Sequence, residues 1–157
     1  MRIAAFFYQN QPHVGLVSQD SNSVAPFDLS LADRELGALT LIDALSRGEA
    51  LPAQGAPIAL KDVQLRAPLP HPRRNIFCVG KNYHAHAKEL AGSVFKSSNA
   101  DPNAWPIVFT KVPECVVGPN DDVHLPGGIT EQIDYESELA VVIGRTARQV
   151  AEKDALR

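Results

Sequence analysis

The chain has 157 residues, 45% of them hydrophobic and 21% charged, the profile of a soluble globular protein of one domain, or one domain plus a small module. The 15 Lys and Arg residues against 18 Asp and Glu leave a formal charge of −3 with no basic cluster, so neither nucleic acid nor an anionic membrane surface is an expected partner. The longest apolar runs, Ile3–Tyr8 and Leu139–Ile143, fall far short of a membrane span, and Met1–Tyr8 is too short for a signal peptide, so a cytoplasmic protein is expected. A chain of this length builds a core without covalent staples, so Cys78 and Cys115 are read as reduced thiols.

The first elements are β-rich. Arg2–Tyr8 and His13–Val17, joined by Gln9-Asn10-Gln11-Pro12, predict a hairpin, and Asp20-Ser21-Asn22-Ser23 predicts a turn. Thr40 is placed to cap a helix over Leu41–Arg47, which Gly48 closes because glycine tolerates the left-handed conformation at helix ends. Pro52, Pro57, Pro68, Pro70 and Pro72 then break residues 51–74 into short extended pieces. These features set a boundary near residue 70, with a small N-terminal β-rich module over residues 1–70 and a second domain over residues 71–157.

In the second domain, Asn75–Val79 reads as a short apolar strand, Gly80-Lys81-Asn82 as a turn and Tyr83–Leu90 as the start of a helix. Ala91–Pro106 is a polar loop of unusual length, of the kind that closes a site or stays disordered. Strand-like stretches follow at Ile107–Lys111 and Val123–Leu125, with turns at residues 118–122 and 126–128, and then a long β-rich run over residues 133–143. No internal repeat is visible.

That last run carries Asp134, Glu136 and Glu138 at i, i+2 and i+4, a period that puts all three carboxylates on one face of a strand. The continuously apolar tail Leu139–Ile143 is the signature of a strand covered on both faces, so the carboxylates lead toward an interior. Charges about 7 Å apart repel by roughly 2 kcal/mol at an effective dielectric near 20, and a divalent cation would offset this. Oxygen donors without Cys or His nearby suit Mg²⁺, Mn²⁺ or Ca²⁺ rather than Zn²⁺. The same spacing also fits a half-exposed strand with an acidic solvent face, or a carboxylate pair sharing a proton.

On the predicted helix, His86 and Glu89 lie three residues apart and share a face, as a base and an orienting carboxylate do, while His84 and Lys88 fall on the opposite, solvated side. An ordinary surface pair has the same spacing. Lys111 ends its strand either as a cation at the mouth of a site or as a solvated strand end. His13, His71 and His124 are read as surface residues, Cys78 as a packed thiol, and Cys115 as lacking a nearby base.

Taken together, Phe77-Cys78-Val79-Gly80-Lys81-Asn82-Tyr83 with His86 and Glu89, Phe109-Thr110-Lys111, Gly118-Pro119, and the run from Asp134 to Gly144 resemble the fumarylacetoacetate hydrolase family in content, order and spacing. The resemblance covers about residues 70–157 and, more loosely, the N-terminal module. It implies an α+β, mostly β fold, a distorted β-barrel or roll of which this chain holds an incomplete part. It further implies a homodimeric enzyme that binds Mg²⁺ or Mn²⁺ and acts on small 2-oxo or 1,3-dioxo carboxylic acids by C–C hydrolysis, decarboxylation or isomerisation through a metal-stabilised enolate. By the same resemblance Glu136 and Glu138 are metal ligands, His86 and Glu89 the catalytic pair, Tyr83 and Lys111 substrate-binding residues, and Ala91–Pro106 a closing loop.

The family's third carboxylate ligand lies well beyond its Glu-x-Glu strand, and no Asp after Glu138 matches it here. Asp154, in an expected helix over Ala151–Leu156, is the remaining candidate before the sequence ends at Arg157. The chain is therefore expected to be the N-terminal portion of such an enzyme, whose Leu139–Ile143 strand leaves an open edge. The rival expectation is a non-catalytic binding or scaffold module that keeps part of the fold.

Overall fold

The computed structural model describes residues 1–80, 82–83, 107–131, 133 and 135–156. The chain divides into two compact units, Met1–Pro70 with Val117–Arg157, and His71–Val116.

The first unit is organised by an antiparallel five-stranded sheet formed by β1 (Ile3–Tyr8), β2 (Gln11–Val17), β3 (Ser23–Pro26), β4 (Ile58–Ala59) and β5 (Gln64–Leu65), in the order β4-β3-β2-β1-β5. The predicted hairpin is present, but tighter than expected: Gln9 and Asn10 alone form the turn, both at positive φ (50° and 60°), the conformation that matches the twist of two antiparallel strands. Gln11 and Pro12 belong to β2. Proline is admitted there because pairs alternate from the hydrogen-bonded Tyr8↔Gln11 closure, so Pro12 opposite Phe7 owes no N–H to β1. Its other edge is free of β3, which pairs only with Gly15–Val17.

The turn after β2 also forms as predicted. Asp20 accepts hydrogen bonds from the Ser18 hydroxyl and from the backbone and side chain of Asn22, which together hold its carboxyl down to about 2. Two short helices follow, α1 (Leu31–Glu35) and α2 (Leu39–Ser46). Helix α1 was not anticipated. Ser30 caps it by accepting from the Asp33 backbone N–H at 3.2 Å and donating its hydroxyl to the Asp33 carboxylate at 2.6 Å.

The Thr40 cap is a correction. Helix α2 starts two residues earlier, Ala38 is its N-cap, and the Thr40 hydroxyl turns back to Asp33 of α1 at 3.3 Å. The reason lies outside the helix: the Ala38 N–H donates to the Pro68 carbonyl, and Gly37, at φ +63°, lies so close to Pro68 and Pro70 that a Cβ would stand 2.4 Å from the Pro68 oxygen. Gly48, at φ +74°, ends α2 as predicted.

The core joins Val14, Phe27 and Leu41, with Ile3, Leu16, Leu29 and Leu51 packed around them, so α2 is anchored to the sheet by Leu41. Ala5 and Phe6 are neighbours on β1 and point to opposite faces, yet both are buried, so the sheet is covered on both sides there. Each fully buried Phe or Leu contributes roughly 1.5–3 kcal/mol. Another correction concerns His13: rather than standing on the surface, its ring is half-buried and stacked on the fully buried Phe6 at 5.5 Å, with Tyr8 edge-on at 6.5 Å.

Residues 117–156 belong to the same unit but form no strand among the described residues. The turn at Gly118–Asp121 is as predicted, with the Gly118 N–H donating to the Asp121 carboxylate at 2.6 Å, and a turn also forms around Gly127-Gly128. Residues 123–125 and the described residues 133 and 135–143, expected as strands, pair with no described strand, and the expected final helix is a single 3₁₀ turn, Glu152–Asp154. The apolar tail expected to be buried is exposed, with Leu139 at 82% and Ile143 at 74%. β-propensity measures fit to a pleated, half-covered surface, and no described strand lies alongside to supply one.

The second unit contains β6 (Ile76–Gly80), one residue later than predicted and taking in Gly80 from the expected turn, and β7 (Ile107–Lys111), where predicted, paired antiparallel from Ile76↔Lys111 to Gly80↔Ile107. A short 3₁₀ turn, Pro113–Cys115, follows β7.

Candidate functional site

The residues singled out in the sequence fall in both units. Tyr83 follows β6 by three residues, and Lys111 is the last residue of β7. Because the ladder is antiparallel, Lys111 stands opposite Ile76, while the end leading to Tyr83 is the Gly80↔Ile107 pair. These ends are about 13 Å apart at the usual rise per residue, so the ladder spaces the two positions rather than joining them. Both Tyr83 and Lys111 are exposed.

His86 and Glu89 lie outside the described residues, as do Asp134 and the closing loop expected over residues 91–106. Glu136 and Glu138 are described, and both are exposed on a stretch without strand pairing rather than leading into an interior. Among the described residues no group of three or more His, Cys, Asp or Glu side chains gathers to hold a metal ion. The donor chemistry of Glu136 and Glu138 nevertheless fits a hard divalent cation. Mg²⁺ is commonly held by one or two carboxylates, with waters and substrate oxygens completing its shell. The pair supplies two such carboxylates and no soft ligand.

His71 and His124 are exposed, as expected, and both cysteines are free, Cys78 half-buried in β6 and Cys115 exposed. His13 is the titratable group that the sequence reading missed. Burial holds its imidazole below the ordinary value of 6.5, and the nearby Arg34 guanidinium adds to the effect. The signal available in the sequence was its place between Pro12 and Val14 on a half-covered strand. Arg66 is a further packed cation, 3.0 Å from the Glu35 carboxylate and lying over the Phe7 ring at 4.5 Å, which ties β5 to α1 and β1. No described helix is long and apolar enough to cross a membrane.

Comparison with known proteins adds a consistent set of likenesses. The family model for the fumarylacetoacetate (FAA) hydrolase C-terminal domain matches residues 75–157, more than half of the chain. Oxaloacetate tautomerase YisK of Bacillus subtilis (strain 168) is 35% identical over 176 residues, covering 99% of this chain and 56% of that protein. Mitochondrial oxaloacetate tautomerase Fahd2a of Rattus norvegicus is 34% identical over 166 residues, covering 99% and 49%. The homoprotocatechuate catabolism bifunctional isomerase/decarboxylase of Escherichia coli is 44% identical over 88 residues, 56% of this chain and 18% of that one. Among solved structures, a fumarylacetoacetate hydrolase from psychrophilic Exiguobacterium antarcticum superposes with a TM-score of 0.71 at 29% identity, covering 99% of this chain and 51% of that one. The chain thus spans about half the length of the two tautomerases and of this structure. Its mostly β fold matches that structure, and by the family match over residues 75–157 together with this likeness along 99% of the chain, the chain belongs to the fumarylacetoacetate hydrolase family.

Proposed function

We propose that this chain is part of a divalent-metal-dependent enzyme that moves a proton on a small 2-oxo carboxylic acid, with oxaloacetate keto–enol tautomerisation as the reaction to assay first. The observation that carries this reading is the 35% identity to an oxaloacetate tautomerase along 99% of the chain, which takes in Tyr83, His86, Glu89, Lys111, Glu136 and Glu138 together. C–C hydrolysis and decarboxylation of related oxo acids develop the same enolate-like charge as the C–C bond breaks, and the E. coli relative's name includes both isomerase and decarboxylase.

Glu136 and Glu138 hold the cation, Mg²⁺ or Mn²⁺, through hard carboxylate oxygens. When bound, it supplies Lewis-acid stabilisation of negative charge on the substrate's oxo oxygen. Lys111 and Tyr83 bind the substrate, Lys111 through its ammonium on a carboxylate. His86 accepts the proton from the carbon next to the oxo group and returns it at the oxo oxygen, and Glu89 orients the imidazole by accepting from its other ring nitrogen. The enzyme works in the cytoplasm as a homodimer, a setting that suits the free Cys78 and Cys115.

The test is made on the intact protein. His86→Ala should slow tautomerisation by about 10²–10⁴-fold while leaving Mg²⁺ affinity unchanged. Glu136→Gln should weaken Mg²⁺ binding measured by calorimetry. Wild-type rates in both variants would overturn the assignment. The second reading, a binding or scaffold module without chemistry, is favoured by the exposure of Glu136 and Glu138 on a stretch without strand pairing. Oxalate separates the two, since its binding tightens on Mg²⁺ addition only where the metal and the oxo-acid site are one.

A further inference from the structure

The β6–β7 ladder has two distinct faces. Residues directly opposite one another share a face, so the register places Ile76, Cys78, Ile107, Phe109 and Lys111 on one side and Phe77, Val79, Val108 and Thr110 on the other. Among the ladder residues Lys111 is the single charged one, and it stands on the side whose β6 residues, Ile76 and Cys78, are the more covered; Phe77 on the opposite side is 71% exposed. An ammonium at the end of an apolar surface is complementary to one carboxylate of a small oxo acid whose adjoining methylene lies on the apolar side chains. Midway between Lys111 and the end that leads to Tyr83 lies the directly opposed pair Cys78 and Phe109. Phe109 is two residues from Lys111, about 7 Å of strand, which is the reach of a small oxo acid, so one held at Lys111 and directed along the ladder toward the Tyr83 end lies over that pair.

We propose that Cys78 and Phe109 form the floor of the substrate site and set which oxo acids it admits, the short Cys78 side chain leaving the depth that the carbon chain occupies. This rests on the reading above that Lys111 and Tyr83 bind the substrate. Cys78 and Phe109 are positioning and specificity residues and take no part in proton transfer.

The experiment uses the intact protein and iodoacetamide, with alkylation at each cysteine followed by peptide mass. Saturating oxaloacetate should slow alkylation of Cys78 and leave that of Cys115, exposed at the end of the Pro113–Cys115 turn, unchanged. In parallel, Cys78→Leu should raise KM for oxaloacetate about tenfold or more with little change in kcat, while Val79→Leu on the opposite face leaves both unchanged. Equal alkylation of Cys78 with and without oxaloacetate overturns the proposal, and so does a Cys78 that resists alkylation in the free protein, which would mean that protein already covers this face. Lys111→Met separates the two levels. If it raises KM while Cys78 goes unprotected, the binding reading stands and the floor is refuted; if it leaves KM unchanged, the binding reading itself falls, and the floor with it.

Discussion

His13 shows how a single residue can carry the pH response of the N-terminal sheet. Its ring lies against Phe6, which is fully buried, with Tyr8 edge-on, and the charged group facing it from α1 is Arg34, itself fixed by a hydrogen bond to the Leu29 carbonyl at 2.8 Å. Protonation would place a second cation beside Arg34 on a poorly solvated surface, which is why burial first and Arg34 second keep the imidazole neutral below its ordinary 6.5. The sign follows from linkage. The unfolded chain takes up a proton as pH falls through about 6.5 while the folded one does not, so stability is full above that pH and is lost as pH drops toward the folded value. Urea midpoints measured at pH 7.5 and 5.5 should therefore fall further for the wild type than for His13→Gln. Equal falls would show that His13 does not carry the response, because the carboxylates titrate alike in both proteins.

At the scale of elements, the α1–α2 region separates what local pattern reveals from what it hides. Gly48 was legible as a helix stop because the requirement for positive φ is local, and the β1–β2 hairpin, β6 and β7 were legible because each is a short apolar run bounded by turn residues. The start of α2 was not, since Ala38 has no capping side chain and its N–H is satisfied by Pro68, thirty positions away in the sequence, a contact that no window around Thr40 contains. The side-chain cap in this region belongs to α1, where Ser30 accepts from the Asp33 backbone N–H and donates its hydroxyl to the Asp33 carboxylate. Ser30→Ala should consequently cost about 1 kcal/mol, seen as a lower thermal midpoint. Thr40→Ala, which removes only a 3.3 Å contact to Asp33 from a residue already inside α2, should cost clearly less; the reverse ranking would restore Thr40 as the cap of α2.

For the whole molecule, the carboxylate pair was legible as chemistry but its setting was not. Glu136 and Glu138 are hard oxygen donors whatever the backbone does, whereas a strand over residues 133–143 needs a neighbour to pair with, and sequence pattern alone reports only the readiness to pair. Leu139, Val141, Val142 and Ile143 are all at least half exposed in this chain, with Ile129 and Val123 upstream and Val150 and Leu156 downstream exposed as well. Apolar residues at successive positions suit a strand covered on both faces, and left open they form an adhesive surface of the kind that soluble monomers rarely present. The 157-residue chain by itself should therefore self-associate, with a weight-average mass in sedimentation equilibrium that rises above 17.0 kDa with concentration. Replacing Leu139 and Val141 together by Asp should suppress that rise and leave the thermal midpoint of the N-terminal sheet unchanged, because Val14, Phe27 and Leu41 hold their core without either residue. Association that persists in the double variant would place the adhesive surface elsewhere, with the apolar face of β6 and β7 carrying Phe77 and Val108 next to be tested.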